Sequence, residues 1–167
     1  VLAAASPHAF MGMTKMGVAA IFETRGNPHG HVILRGGKAP NYDAAHVEAA
    51  CAVLRKAGRR EQIMIDCSHA NAAKQHKRQL DVGADVAAQL RAGERRIMGV
   101  MVESHLHEGR QDLVPGQPLR AGVSITDACL GWHDTEPLLR QLAGAVKARR
   151  AAASSAAPGH TAEAPSA

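Results

Sequence analysis

Cysteine is scarce. Cys51, Cys67 and Cys129 are the only three in 167 residues, too few and too irregularly spaced for a disulfide framework or a Cys-x-x-Cys metal site, so a reducing compartment, the cytoplasm, is expected. Aromatic residues make up only 2% of the chain, which leaves little to stack on bases, and nucleic acid is not an expected partner. No apolar run reaches the roughly 18 to 20 residues of a bilayer span. The first residues also lack the charged, apolar and cleavage segments of a secretory signal, so no membrane partner is expected either. What is present is ordinary globular composition, 46% hydrophobic and 21% charged, enough for one domain with a core. The net charge of +5 comes partly from the pairs Arg59/Arg60, Arg95/Arg96 and Arg149/Arg150 near expected helix ends, and is compatible with a basic pocket for small anions.

Along the chain, strand and helix patterns alternate from Pro7 to Arg150. Val1 to Ala5 reads as the last turn of a helix stopped by Ser6-Pro7, which suggests that the sequence begins inside a longer protein. His8 to Met13 and Val18 to Thr24 are strand-like and could form a hairpin or an inserted loop; His31 to Leu34 is a further apolar strand. Residues 43 to 57 carry Val47, Ala50, Cys51 and Leu54 at helical spacing, with Asp43 as N-cap and Gly58 just past the end. Gln62 to Asp66 is a continuous apolar strand, followed by a helix from about Lys74 to Arg91 that places Leu80, Ala84, Ala87 and Leu90 inward. Ile97 to Val102 is the next strand. A Gly/Pro-containing loop over 107 to 123 is long enough to be functional, and a last helix, Asp134 to Arg149, turns Leu138, Leu139, Leu142 and Val146 inward. Strands apolar on both faces and separated by helices predict an α/β fold with a parallel sheet covered on both sides. Residues 151 to 167, nearly all Ala, Ser, Pro, Gly and Thr, read as a disordered tail beyond a domain spanning 1 to 150.

Ionisable residues recur at the strand ends. Arg35, His69 and Glu103 are each 34 positions apart, about one β/α unit, and Asp127 follows 24 positions later. In a barrel or doubly wound sheet such positions face one end of the fold, where β/α enzymes place their sites. One imidazole and two carboxylates form an oxygen/nitrogen ligand set for a divalent cation such as Mn, Fe, Co or Zn. Each residue has a plainer explanation: a hydrogen-bonded structural histidine for His69, a turn or helix cap for Asp127, a salt bridge for Arg35. Glu103 is harder to dismiss, because a carboxylate directly after an uninterrupted apolar strand is costly to bury unpaired. Arg35 precedes two glycines, where backbone can approach a bound carboxylate or phosphate closely. Cys67, two residues before His69, is assigned to packing, and His29, His31, His76, His105 and His107 to surface or loops.

The segments GNPHGHVILRGGKAPNY, MIDCSHAN, GVMVESHLHEG and SITDACLGW, in that order, closely resemble the C-terminal portion of class I 3-deoxy-D-arabino-heptulosonate 7-phosphate (DAHP) synthase of the aromatic-amino-acid-regulated type. The resemblance covers about residues 1 to 150. It implies the C-terminal part of a (β/α)8 TIM barrel and the condensation of phosphoenolpyruvate with erythrose 4-phosphate, with release of phosphate, at the start of the shikimate pathway. It further implies that His69, Glu103 and Asp127 are metal ligands, that Arg35 contacts phosphoenolpyruvate, and that the full-length protein is a homo-oligomer. Phe10 and Gly12 fall where family members line the feedback pocket, and the glycine resembles the tyrosine-sensitive more than the phenylalanine-sensitive members. A fourth ligand, a cysteine, and a Lys-Pro-Arg motif that the family carries in its first half are not in this chain. The chain therefore reads as a fragment, expected not to turn over substrate unaided. Two alternatives stand beside this one: another metal-dependent aldolase or hydrolase on a β/α barrel, and a non-catalytic remnant that binds ligands or full-length subunits.

Overall fold

The computed structural model describes residues 1–155. A single turn of helix, α1 (Leu2–Ala5), ends where Ser6 takes an extended conformation before Pro7, the geometry a following proline imposes. The segment the sequence left open is an antiparallel hairpin. Strand β1 (His8–Met13) pairs with β2 (Ala19–Thr24), placing Phe10 opposite Phe22 and Gly12 opposite Ala20. Thr14 and Val18 close its turn by a backbone hydrogen bond, with Gly17 at φ +74°. No residue of either strand is buried.

The body is a three-stranded parallel sheet in the order β3 (Val32–Leu34), β4 (Ile63–Asp66), β5 (Ile97–Met101). Helix α2 (Ala44–Lys56) links the first two strands. Its Asp43 cap accepts a hydrogen bond from the His46 amide at 3.0 Å, and Gly58 takes φ +62° just past its end. Helix α3 (Gln79–Arg91) links β4 to β5, and α4 (Trp132–Ser155) packs along α3. Strand periodicity sends Leu34, Ile63, Ile65 and Ile97 to one face, where Val47, Cys51 and Leu54 of α2 and Val82, Val86, Ala87 and Leu90 of α3 complete a continuous core. Helices α3 and α4 meet closely at Gly83, where a methyl group would lie 2.4 Å from Leu138 Cδ1.

Four expectations need correction. Among the described residues, helices cover one face of the sheet, not both: Ile33 and Met98 are each 49% exposed, the latter where the β4–β5 register shifts. Helix α3 starts at Gln79 after a 3-10 turn over His76–Arg78, because His69, Ala73 and Lys74 take left-handed backbone (φ +50°, +49° and +59°) and hold the preceding segment out of the helix. The buried stripe of α3 is accordingly Gln79, Val82, Gly83, Val86, Ala87 and Leu90, with Leu80 and Ala84 only partly buried, while Leu139 of α4 is exposed and Ala145 takes the inward place. The last helix also runs past the boundary at 150 through Ser155, since an alanine-rich stretch continues a helix at little cost. The rest of the expected tail, 156–167, lies outside the described residues.

Candidate metal centre

The site is assembled at the carboxyl ends of the three parallel strands. After β3 the chain turns at Arg35-Gly36. Gly36 has φ +78°, and a side chain there would meet Ala70 Cβ at 2.7 Å and the Asn71 amide nitrogen at 2.8 Å, so only glycine lets the two loops touch. Buried Asn71 then joins two strand ends. Its Nδ2 donates to the Leu34 carbonyl at 3.0 Å and to the Asp66 carbonyl at 2.7 Å, and its Oδ1 accepts from the Asn41 amide at 2.8 Å.

After β4, the Cys67 amide donates to the Met101 carbonyl at 2.9 Å, extending the β4–β5 pairing by one bond. Ser68 and His69 follow in a tight loop closed by a hydrogen bond from the Lys74 amide to the His69 carbonyl at 2.9 Å. The His69 ring lies between two acidic groups. Nδ1 is 2.8 Å from Asp66 Oδ2, and Nε2 faces Glu103 Oε1 at 3.7 Å. Glu103 lies just past the end of β5, where fully buried Gln79 grips its main chain twice: Oε1 accepts from the Glu103 amide at 2.8 Å, and Nε2 donates to its carbonyl at 3.1 Å. The Leu130 amide donates to the same carbonyl at 3.0 Å, and a parallel bridge between Ser104 and Leu130 lays the returning chain beside this end of the sheet, bringing Asp127 to the site.

One ligand atom from each of His69, Glu103 and Asp127 falls within 4.8 Å of the others. They border a cavity of about 520 Å³ that is also lined by Arg35, Lys74 and Arg110. Arg35 makes no ion pair among the described residues, so the salt bridge considered as its alternative is not formed. The donor set suits a divalent cation. An imidazole nitrogen and two carboxylates converge without a lysine or arginine bonded among them, an oxygen/nitrogen donor set able to hold a divalent cation. Cys67 has no part in the cluster. Burial, helped by the nearby Asp66 charge, pushes its thiol up to about 12, and a ligand would have to be thiolate. Phe10 and Gly12 lie away from the cluster, on the hairpin. Phe10 stacks on Phe22 with ring centres 5.7 Å apart, and the absence of a side chain at Gly12 leaves room for the Phe22 ring, 3.0 Å from where a Cβ would lie.

Asp66, Ser68, Asn71 and Gln79 were not singled out from the sequence. Asp66 carried a readable signal, since it ends an apolar strand three residues before His69. Apart from the Asn71 bond to the Asp66 carbonyl, Gln79 and Asn71 act on main-chain groups 24 to 37 positions away, and no local pattern announces them. A second acidic-histidine group, Glu108, His133 and Asp134, is occupied by Lys77, whose Nζ lies 2.6 Å from Glu108 and 3.8 Å from Asp134.

Residues 1–140 match the family model described as the DAHP synthetase I family. The chain is 60% identical over 148 residues to the Phe-sensitive phospho-2-dehydro-3-deoxyheptonate aldolase of Escherichia coli (strain K12), covering 89% of this chain and 42% of the relative. It is 56% identical over 153 residues to the corresponding aldolase of Haemophilus influenzae, covering 91% and 42%. A solved structure of the aldolase from Francisella tularensis SCHU S4 superposes with a TM-score of 0.82 at 46% identity, covering 88% of this chain and 43% of that one. The chain thus spans about two fifths of the length of the relatives it matches.

Proposed function

This chain belongs to the DAHP synthetase I family, and on that premise we propose that it supplies the metal-holding side of a site where phosphoenolpyruvate condenses with erythrose 4-phosphate and water to give DAHP and phosphate. The observation that carries this is the convergence of His69, Glu103 and Asp127 at the strand ends, beside Arg35 in one cavity. A divalent ion held by the three would act as a Lewis acid toward the aldehyde oxygen of erythrose 4-phosphate. The chain's own residues orient the partners. His69 offers Nε2, Glu103 is held in place through Gln79, and Arg35 presents a guanidinium suited to the anionic groups of phosphoenolpyruvate. Holding both substrates turns a bimolecular encounter into an oriented one. The three parallel strands and their helices are read as the C-terminal part of a (β/α)8 barrel.

Two further assignments belong to the same proposal. The full-length protein is a homo-oligomer, and Phe10 and Gly12 contribute to a feedback site for an aromatic amino acid. Gly12 favours tyrosine, whereas the E. coli relative is named Phe-sensitive. Inhibition of the intact enzyme titrated with each amino acid discriminates the two. The test of the central assignment is DAHP formation from the two substrates with and without a chelator. Chelation is expected to abolish it and Mn²⁺ to restore it; activity indifferent to a chelator would remove the metal from the proposal.

A further inference from the structure

Asp66 is 1% exposed and has no lysine or arginine partner among the described residues. A carboxylate so placed is costly unless its oxygens are partnered; one of its oxygens is hydrogen-bonded to Ser68 and the other lies against His69, the two residues that lead into the site. Oδ1 accepts from the Ser68 amide at 2.8 Å and from the Ser68 hydroxyl at 2.9 Å. Oδ2 lies 2.8 Å from His69 Nδ1. The Ser68 oxygen is itself 2.6 Å from the same Nδ1. A carboxylate oxygen can only accept, so Oδ2 at 2.8 Å favours the proton on Nδ1, and the serine hydroxyl, turning its own proton to Asp66 Oδ1, accepts from the same ring N–H. Both neighbours of Nδ1 are therefore acceptors, and Nδ1 carries the proton. In the neutral ring Nε2 is then left with a free lone pair, turned toward Glu103 Oε1. His69 itself takes left-handed backbone, φ +50°, in the loop closed by the Lys74 amide.

We propose that Asp66 is a positioning residue, whose buried carboxylate fixes His69 in the tautomer with Nδ1 protonated and so makes Nε2 the nitrogen offered to a cation. This deepens the metal assignment made above and rests on it for its consequence, but the tautomer itself can be read without any metal. The competing role is structural only: Oδ1 alone would stabilise the turn through Ser68, and the ring would be free to choose.

The decisive substitution is Asp66→Asn in the intact protein. Its amide oxygen can still accept from Ser68, while its NH₂ must then point at Nδ1 and donate to it, forcing the proton to Nε2. Two-bond proton–nitrogen NMR correlations of the imidazole, recorded metal-free at alkaline pH, are expected to show the proton on Nδ1 in the natural protein and on Nε2 in the variant. Calorimetric titration with Mn²⁺ is expected to show affinity weakened by about 10- to 100-fold, the usual effect of losing a ligand-orienting partner. Ser68→Ala serves as the second variant. It leaves Asp66 Oδ2 as acceptor and is expected to keep the proton on Nδ1, so the proposal stays testable if Asp66→Asn does not fold. A natural protein with the proton on Nε2, a Ser68→Ala variant that loses the Nδ1 proton, or an Asp66→Asn variant with unchanged tautomer and Mn²⁺ affinity overturns it. A natural protein with the expected tautomer that binds no Mn²⁺ supports the control of the ring by Asp66 and removes the metal assignment instead.

Discussion

Met11, Met13 and Ile21 in the hairpin are as apolar as Ile63, Ile65 and Val86 in the α/β body, yet the first three face solvent and the last three are fully buried. The difference lies in partners, not composition. Each strand of the body has a helix laid over one face, whereas β1 and β2 pack chiefly on each other, fastened by their ladder and by one stacked phenylalanine pair. Polar chemistry follows the same division. Asp66, Asn71 and Gln79 are buried in the body and hydrogen-bonded there, around the candidate site. The hairpin buries no polar group at all.

The largest effect expected from this contrast is in the core. Ile65→Ala should lower stability by about 2–5 kcal/mol, read from urea unfolding; a loss as small as that of a hairpin substitution would break the contrast. Next comes Asn71→Ala, which leaves the Leu34 and Asp66 carbonyls without their amide partner and should cost about 1–3 kcal/mol, with weaker Mn²⁺ binding in the same preparation. Phe10→Ala removes one exposed stacked ring and should cost about 0.5–1.5 kcal/mol, while leaving Mn²⁺ affinity unchanged. Altered metal affinity in that variant would show that the two regions are coupled.

The smallest expected effect concerns pH. Hydrogen bonds from Arg96 are the main reason that the Glu94 carboxyl titrates below its ordinary 4.5, and Arg96 also pairs with Glu48. A group depressed on folding contributes stability that is complete above the unfolded value and lost as pH falls through the folded one. Stability should therefore decline on acidification below about 4.5, and Arg96→Gln should flatten that decline. Because the Glu48 end of the network is solvated, the change should be slight. The Cys67 thiol reports on the body at the other extreme: it should resist alkylation at neutral pH and react only on unfolding.

Much of this was legible in the sequence. Uninterrupted apolar runs placed β4 and β5, Asp43 and Gly58 bounded α2, and the spacing of Arg35, His69, Glu103 and Asp127 brought attention to residues that do border one cavity. Exposure of the hairpin was not legible, because strand propensity is silent on whether a partner lies above the strand. Nor was the late start of α3, since nothing in the residues 69–75 forbids a helix; the left-handed turns there are imposed by hydrogen bonds closing the loop. Asn71 and Gln79 escaped notice for a related reason. They recognise main-chain carbonyls and amides, which every residue carries and no sequence pattern displays.

The side chain of Asn71 holds the last residues of two neighbouring strands at once, one leading directly to the Arg35 guanidinium and the other to the imidazole of His69. A single amide thus acts as the spacer between the loop that carries the Arg35 guanidinium and the loop that carries the His69 imidazole. Lengthening it by one methylene, as in Asn71→Gln, would push those strand ends apart without altering Arg35 or His69 themselves. The width of the cavity mouth is therefore set in part by a residue that does not line it.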